Sequence, residues 1–243
     1  MRQRLLIFFL LILAAGCAKP PAQTKYAWML YSLPSATVGS FIGQSVALFP
    51  AAKIEWDPNQ EVYRETIAGL LFATLSADKN GPQFIPVDMV QGRINAAGAW
   101  DDFLRMYKDY ETTSVLRKDL LAKIGRATGA RYAIVPKLLR YQQEVFDRAT
   151  IVGISFLKTR QSTVDIHVQI WDMETGMVVW QGAGEGTEAT EFVSGSPISF
   201  LTVAQRACES LALKMPWTVA PPPPLPPRQD LQQTPSWGPR LEE

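Results

Sequence analysis

Between residues 164 and 171 the chain alternates without a break: Val164, Ile166, Val168 and Ile170 are apolar, and Asp165, His167, Gln169 and Trp171 stand between them. Successive side chains of a strand leave on opposite faces, so a period of two predicts a strand in a sheet with one covered and one open face. Residues 172–176 (DMETG) follow, and Gly176 can take the positive φ of a hairpin loop with a bulge. Residues 177–181 then return as the partner strand. Trp171 and Trp180 flank this hairpin. Both on its open face would make an aromatic partner surface or a sugar platform; packing in the core is the other reading.

Other apolar stripes supply the cover. Residues 45–50 (SVALFP) are a short apolar run stopped by proline, the mark of a buried strand. Asp57 and Pro58 open a helix whose face is Tyr63, Ile67, Leu70, Leu71 and Leu75, and residues 79–82 (KNGP) end it. Residues 84–87 (FIPV) are a second short strand, and residues 90–110 are helical but broken at Gly92 and Gly98. A helix over 114–128 presents Leu116, Leu120, Leu121 and Ile124, with Gly129 as its C-cap. Residues 131–139 are a strand in which Pro136 cannot donate to a ladder, which predicts an edge or a bulge there. The glycine-rich run 182–187 (GAGEGT) lacks the Lys-Ser/Thr of a phosphate loop and reads as a strand end with bulges. A last helix, 199–214, carries Phe200, Ala204, Ala207, Cys208 and Leu211 on one face. The order β-α-β-α-α-β-β-β-α predicts an α+β fold, helices packed on one mixed sheet, in a single domain over 45–215.

The two ends differ in character. Arg2 and Arg4 precede an unbroken apolar run, residues 5–13, and then Ala14, Ala15, Gly16 and Cys17. That is the layout of a secretory signal over 1–16. The run falls short of the ~20 residues a spanning helix needs. Residues 17–44 are expected to be a tether, broken by Pro20, Pro21 and Pro34. Within it the apolar stretch 26–33 is either a strand or a patch against a membrane or a partner. From residue 216 to 243 proline dominates. This tail is a polyproline II spacer or groove ligand, or plain disordered chain.

The chemistry-bearing residues are few. Removing Arg2 and Arg4 from the 24 basic residues leaves 22 against 23 acidic, so no strong field exists to hold nucleic acid. His167 is the only histidine, and no Gly-x-Ser-x-Gly elbow exists to present a nucleophile to it. One histidine and one further cysteine, Cys208, in separate elements do not make a zinc site. If Cys17 is modified, Cys208 has no intramolecular partner and reads as a small buried hydrophobe. The adjacent acids Asp101 with Asp102 and Glu242 with Glu243 read as solvated. No catalytic residue, metal site or cofactor is predicted.

Residues 13–17 (LAAGC) resemble the lipobox of bacterial lipoproteins, with Ala14 where leucine is more usual. The resemblance implies cleavage before Cys17, diacylglycerol on its thiol and an acylated amine. Each buried methylene contributes ~0.8 kcal/mol, and more than one chain makes such anchoring stable. Ala18 and Lys19, where the family can carry an acidic retention residue, favour the outer membrane. Residues 121–135 (LAKIGRATGARYAIV) resemble the helix-glycine-strand signature of the periplasmic domains in the curli-secretion lipoprotein group. Relatives of similar fold include penicillin-binding-protein activator lipoproteins and the amino-terminal domain of the Tol-Pal β-propeller protein. Residues 170–181 (IWDMETGMVVWQ) resemble the group's hairpin, and residues 46–50 its first strand. This resemblance covers 45–215 and implies a non-catalytic scaffold that binds other envelope proteins, often as a ring. The curli pore adds long amphipathic hairpins. Of the candidate insertions here, 95–113 reads as helical and charged, and 147–160 is too short for a pair of spanning hairpins.

These readings converge on an outer-membrane lipoprotein facing the periplasm, an assembly or accessory subunit of an envelope or secretion machine. Its expected partners are the membrane, through lipid on Cys17, other envelope proteins and further copies of itself, and not nucleic acid. The alternative is a peptidoglycan- or polysaccharide-binding lipoprotein that works through exposed Trp171 and Trp180.

Overall fold

The alternating segment is the C-terminal half of a long strand that organises the whole domain. The computed structural model describes residues 23–52, 60–77, 81–151, 154–192 and 198–218. In chain order its elements are β1 (Gln23–Ser32), α1 (Val38–Phe41), β2 (Ser45–Leu48), α2 (Gln60–Leu75), β3 (Gln83–Ile85), α3 (Val87–Ala96), α4 (Trp100–Thr113), α5 (Lys118–Thr128), β4 (Tyr132–Ile151), β5 (Ile154–Asp172), β6 (Met177–Phe192) and α6 (Phe200–Ala212). The strands form one six-stranded sheet in the order β1-β6-β5-β4-β2-β3. β2 runs parallel to β3 and β4, and the other neighbours are antiparallel. This is the expected α+β architecture, helices on a mixed sheet.

Two cores flank the sheet. On one face Val164, Ile166, Val168 and Ile170 pack with Ile67 and Leu71 of α2 and with Ala204, Ala207 and Cys208 of α6. The opposite face is not open along its whole length, as the alternation alone implies. Ala133, Val135 and Trp171 are covered there by α3, α4 and α5. The reason is that α4 and α5 bring buried faces of their own, Phe103, Met106, Tyr107 and Tyr110 on one and Leu120, Leu121 and Ile124 on the other. The polar residue in this stretch of β5, Gln169, is held inside: its Oε1 accepts from the Tyr110 hydroxyl at 2.9 Å and from Trp171 Nε1 at 3.1 Å.

Several boundaries depart from the sequence reading. Residues 23–32, within the expected tether, are strand β1 on β6, and Phe41 of the same segment is fully buried. Trp217, expected in the tail, packs edge-on against Phe41 at 5.3 Å. Gly92 lies inside α3, whereas Gly98, at φ +63°, is the real break between α3 and α4. The expected helix over 114–128 begins only at Lys118, because Ser114 takes the left-handed conformation that closes α4. Gly129 (φ +69°) caps α5 as expected. Asp57, Pro58, Lys79 and Asn80, the expected ends of the second helix, lie outside the described residues, as do residues 1–22 and 219–243. Of residues 147–160, 147–151 are the end of β4 and 154–160 the start of β5, and 152 and 153 lie outside the described residues.

Pro136 does not mark a sheet edge. β4 is interior, between β5 and β2. The carbonyls of Ile134 and Pro136 both face the β2 side, accepting from Phe49 N at 2.9 Å and Ala52 N at 2.8 Å. A strand residue aims its N–H and C=O the same way, so the missing N–H of Pro136 points where β2 has already ended, and no ladder bond to β5 is lost. The bulge comes slightly later, between Leu138 and Arg140.

The glycine-rich run is likewise not a strand end. Its register with β5 is unbroken from Gln181 to Phe192. Gly182, Gly184 and Gly186 share one face, and a Cβ on Gly184 would stand 2.6 Å from the carbonyl oxygen of Ala207 and from Leu211 Cγ. Gly184 and Gly186 let the backbone of α6 approach β6 directly, the close approach for which a residue without Cβ is needed, while Gly182 makes room for the Trp180 ring and the Trp28 carbonyl.

Candidate functional site

The part of the second face that α4 and α5 leave uncovered ends at the edge strand β1. Tyr26 pairs with Glu185 and Trp28 with Ala183, and after a register shift between Met29 and Tyr31, Tyr31 pairs with Gln181. Because cross-strand partners share a face, Tyr26, Trp28 and Tyr31 form one aromatic row on the open side. The next row inward is Glu185, Ala183 and Gln181, and the next is Asp165, His167 and Gln169 of β5. Arg140 of β4 reaches across these rows, its Nε 2.8 Å from Asp165 Oδ2 and its Nη2 3.7 Å from Glu185 Oε2. Beside it Lys137 lies opposite His167 and places its Nζ 3.4 Å from the Ser114 hydroxyl. Burial and the Lys137 ammonium hold the His167 imidazole below its ordinary value.

The other side of β1 is fastened to α6. Lys25 Nζ stands 3.4 Å from Glu209 Oε2, and the Ser210 hydroxyl donates to the Tyr26 carbonyl at 2.8 Å. β1 is therefore fixed on one face and one edge. Among the described residues its outer edge pairs with nothing.

Trp171 and Trp180 do not form the exposed pair that the sequence allowed. Trp171 is 4% and Trp180 0% exposed. A register shift between Ile170 and Trp171 sets Trp171 opposite Val178 and Trp180 opposite Ile170. The two rings consequently fall on opposite faces and belong to different cores. The extra residue of a bulge is invisible to an alternation count. Cys208 is buried in the first core, where burial pushes its thiol pKa up. Cys17 lies outside the described residues. Among the described residues no group of three or more His, Cys, Asp or Glu is placed to hold a metal, and no helix is long and apolar enough to cross a membrane.

Exposed apolar side chains concentrate on β1, where Tyr26, Trp28, Met29, Leu30 and Tyr31 follow within six positions. The sequence offered a signal for them, the apolar stretch 26–33. It lacks period-two alternation because both faces and a bulge carry large side chains.

No family model matches the sequence, and no curated protein matches it. Among solved structures, similarity reaches the PelC dodecamer from Paraburkholderia phytofirmans at 15% identity, covering 81% of this chain and 99% of that chain with a TM-score of 0.39. It also reaches lipoprotein GNA1162 from Neisseria meningitidis, at 14% identity over 63% of this chain and 87% of that one, TM-score 0.39. The LpoB C-terminal domain from Salmonella enterica matches at 14% identity over 61% and 86%, TM-score 0.33. These are resemblances of fold and carry nothing about function.

Proposed function

We propose that the chain is an envelope lipoprotein, anchored by lipid on Cys17, whose α+β domain serves as a non-catalytic assembly or accessory subunit. The observation that carries this reading is the N-terminal order of two arginines, an apolar run of limited length and Ala14-Ala15-Gly16-Cys17. An exposed apolar patch marks a partner surface, and β1, which displays one, begins at Gln23, a few residues after Cys17. Outer-membrane placement rests on Ala18 and Lys19 alone. A polysaccharide platform built on Trp171 and Trp180 loses its support, since both rings are buried.

Fractionation of a diderm bacterium expressing the full-length chain tests the anchor. The wild-type protein should sediment with membranes and leave them in detergent but not in high salt. Cys17→Ser should not be lipidated and should lose that detergent-dependent behaviour. Release of the wild type by salt alone would contradict the reading.

A further inference from the structure

We infer that the outer edge of β1 is a self-association surface, on which a second copy of this chain adds its own β1 antiparallel across a two-fold axis. The edge is ten residues long and carries one charge, Lys25, which is already engaged by Glu209. It has neither a proline nor an outward-facing charge of its own to block pairing, the usual safeguards of a free edge. Its exposed side chains are large: Tyr26 is 61%, Trp28 42%, Met29 57%, Leu30 52% and Tyr31 40% exposed. Together they present roughly 500 Å² of surface, taking ~200 Å² for each full side chain. Twice that, ~1,000 Å², is the most the five side chains of two copies could bury, and it reaches the lower bound for a specific interface.

The geometry favours an isologous contact. A two-fold axis normal to the sheet keeps each face on its own side, so an aromatic row meets an aromatic row. Centred on Ala27, the axis sets Tyr26 opposite the partner's Trp28, and Trp28 opposite the partner's Tyr26, the kind of aromatic cross-strand pair that stabilises a sheet. The unpaired N–H and C=O groups of β1 are satisfied in the same step, which a lipid surface would not do. β3, at the far end of the sheet, is only three residues long, and the part of β4 beyond the end of β2 carries Arg140, Gln142, Gln143 and Glu144 and fits the aromatic row less well. A two-fold pair also closes on itself, whereas β1 joined to β4 of the next copy would form a ring or a filament. The inference concerns the folded domain and does not depend on the lipid anchor.

The test is disulfide trapping with the full-length chain in its native envelope. Across an antiparallel pair, Cα atoms lie ~4.5–5.5 Å apart, within reach of a disulfide. Ala27→Cys alone, on the axis, and Tyr26→Cys co-expressed with Trp28→Cys should each give on oxidation a dimer that disappears on reduction. Adding Leu30→Lys to the best of them should reduce the trapped fraction at least ten-fold, while the melting temperature stays unchanged. No dimer from either would overturn the inference. So would a ladder of larger products that appears only when Val145→Cys is present with Ala27→Cys, which would assign β4 as the partner edge. Monomers whose β1 cysteines are shielded from a charged maleimide by membranes alone would overturn it in favour of a lipid contact.

Discussion

At Gly184 the space for a side chain is set by another element's backbone. A Cβ there meets the Ala207 carbonyl oxygen and Leu211 Cγ at 2.6 Å, and the carbonyl cannot retreat without lifting α6 from the sheet. Gly184→Ala should therefore cost ~1–3 kcal/mol, the range for an overpacked core, in urea denaturation. Gly92 offers the contrast: it lies in the middle of α3, and a methyl group on its Cα would have nothing within 4 Å. Gly92→Ala should stabilise by ~0.5–1 kcal/mol, because alanine gives up less backbone freedom in a helix. His167 gives a pH signature. Burial first, and Lys137 second, lower its folded pKa from 6.5, so the unfolded chain takes up the proton more readily. The contribution is complete above about pH 6.5, the unfolded value, and is lost as pH falls through the folded pKa. In His167→Gln that part of the acid-side loss should vanish from the stability profile. Cys208 should resist a maleimide in the native protein and react once it is unfolded, because its thiol is buried and its pKa raised.

Elements are where the sequence is most and least readable. The faces of α2, α5 and α6 follow directly from apolar spacing: Ile67 and Leu71, Leu120 and Ile124, and Ala204 and Cys208 are all buried where the periodicity puts them. The hairpin turn is legible because Gly176, at φ +73°, is chemically singular. Where two signals compete, the reading fails. In β6 the glycines look like punctuation, yet Gly184 and Gly186 are the seat of α6. At Trp171 and Trp180 one inserted residue reverses a face. In residues 26–33 a strand with large side chains on both faces has no period to detect, and three prolines nearby make the segment look like a tether. Phe41 tests the revised boundary. It is 0% exposed and packs against Tyr132 at 4.6 Å and Trp217 at 5.3 Å. Phe41→Ala should cost ~3–5 kcal/mol in the same denaturation assay, as for a large aromatic removed from a core. A residue in a tether would cost almost nothing.

Over the whole molecule, the domain is asymmetric in what it covers. Among the described residues, helices bury one face of the sheet and the β2–β3 end of the other, while the β1 end keeps an open face and a free apolar edge. The candidate site is only partly legible in the sequence. The apolar stretch that carries it can be seen, but its exposure depends on which neighbours the fold supplies, and local sequence does not encode that. A chain held to a membrane by its first mature residue would keep this edge close to the lipid surface, since the few residues between Cys17 and Gln23 span at most ~3.6 Å each. That geometry rests on the anchor. The intact mass of the mature N-terminal peptide, from protein purified out of a diderm host, tests the anchor itself. Lipidation at Cys17 predicts a peptide that begins at that residue and is heavier than its sequence by a diacylglycerol and an amide-linked acyl chain. A peptide that retains Met1, or one that begins elsewhere or at an unmodified Cys17, would contradict it.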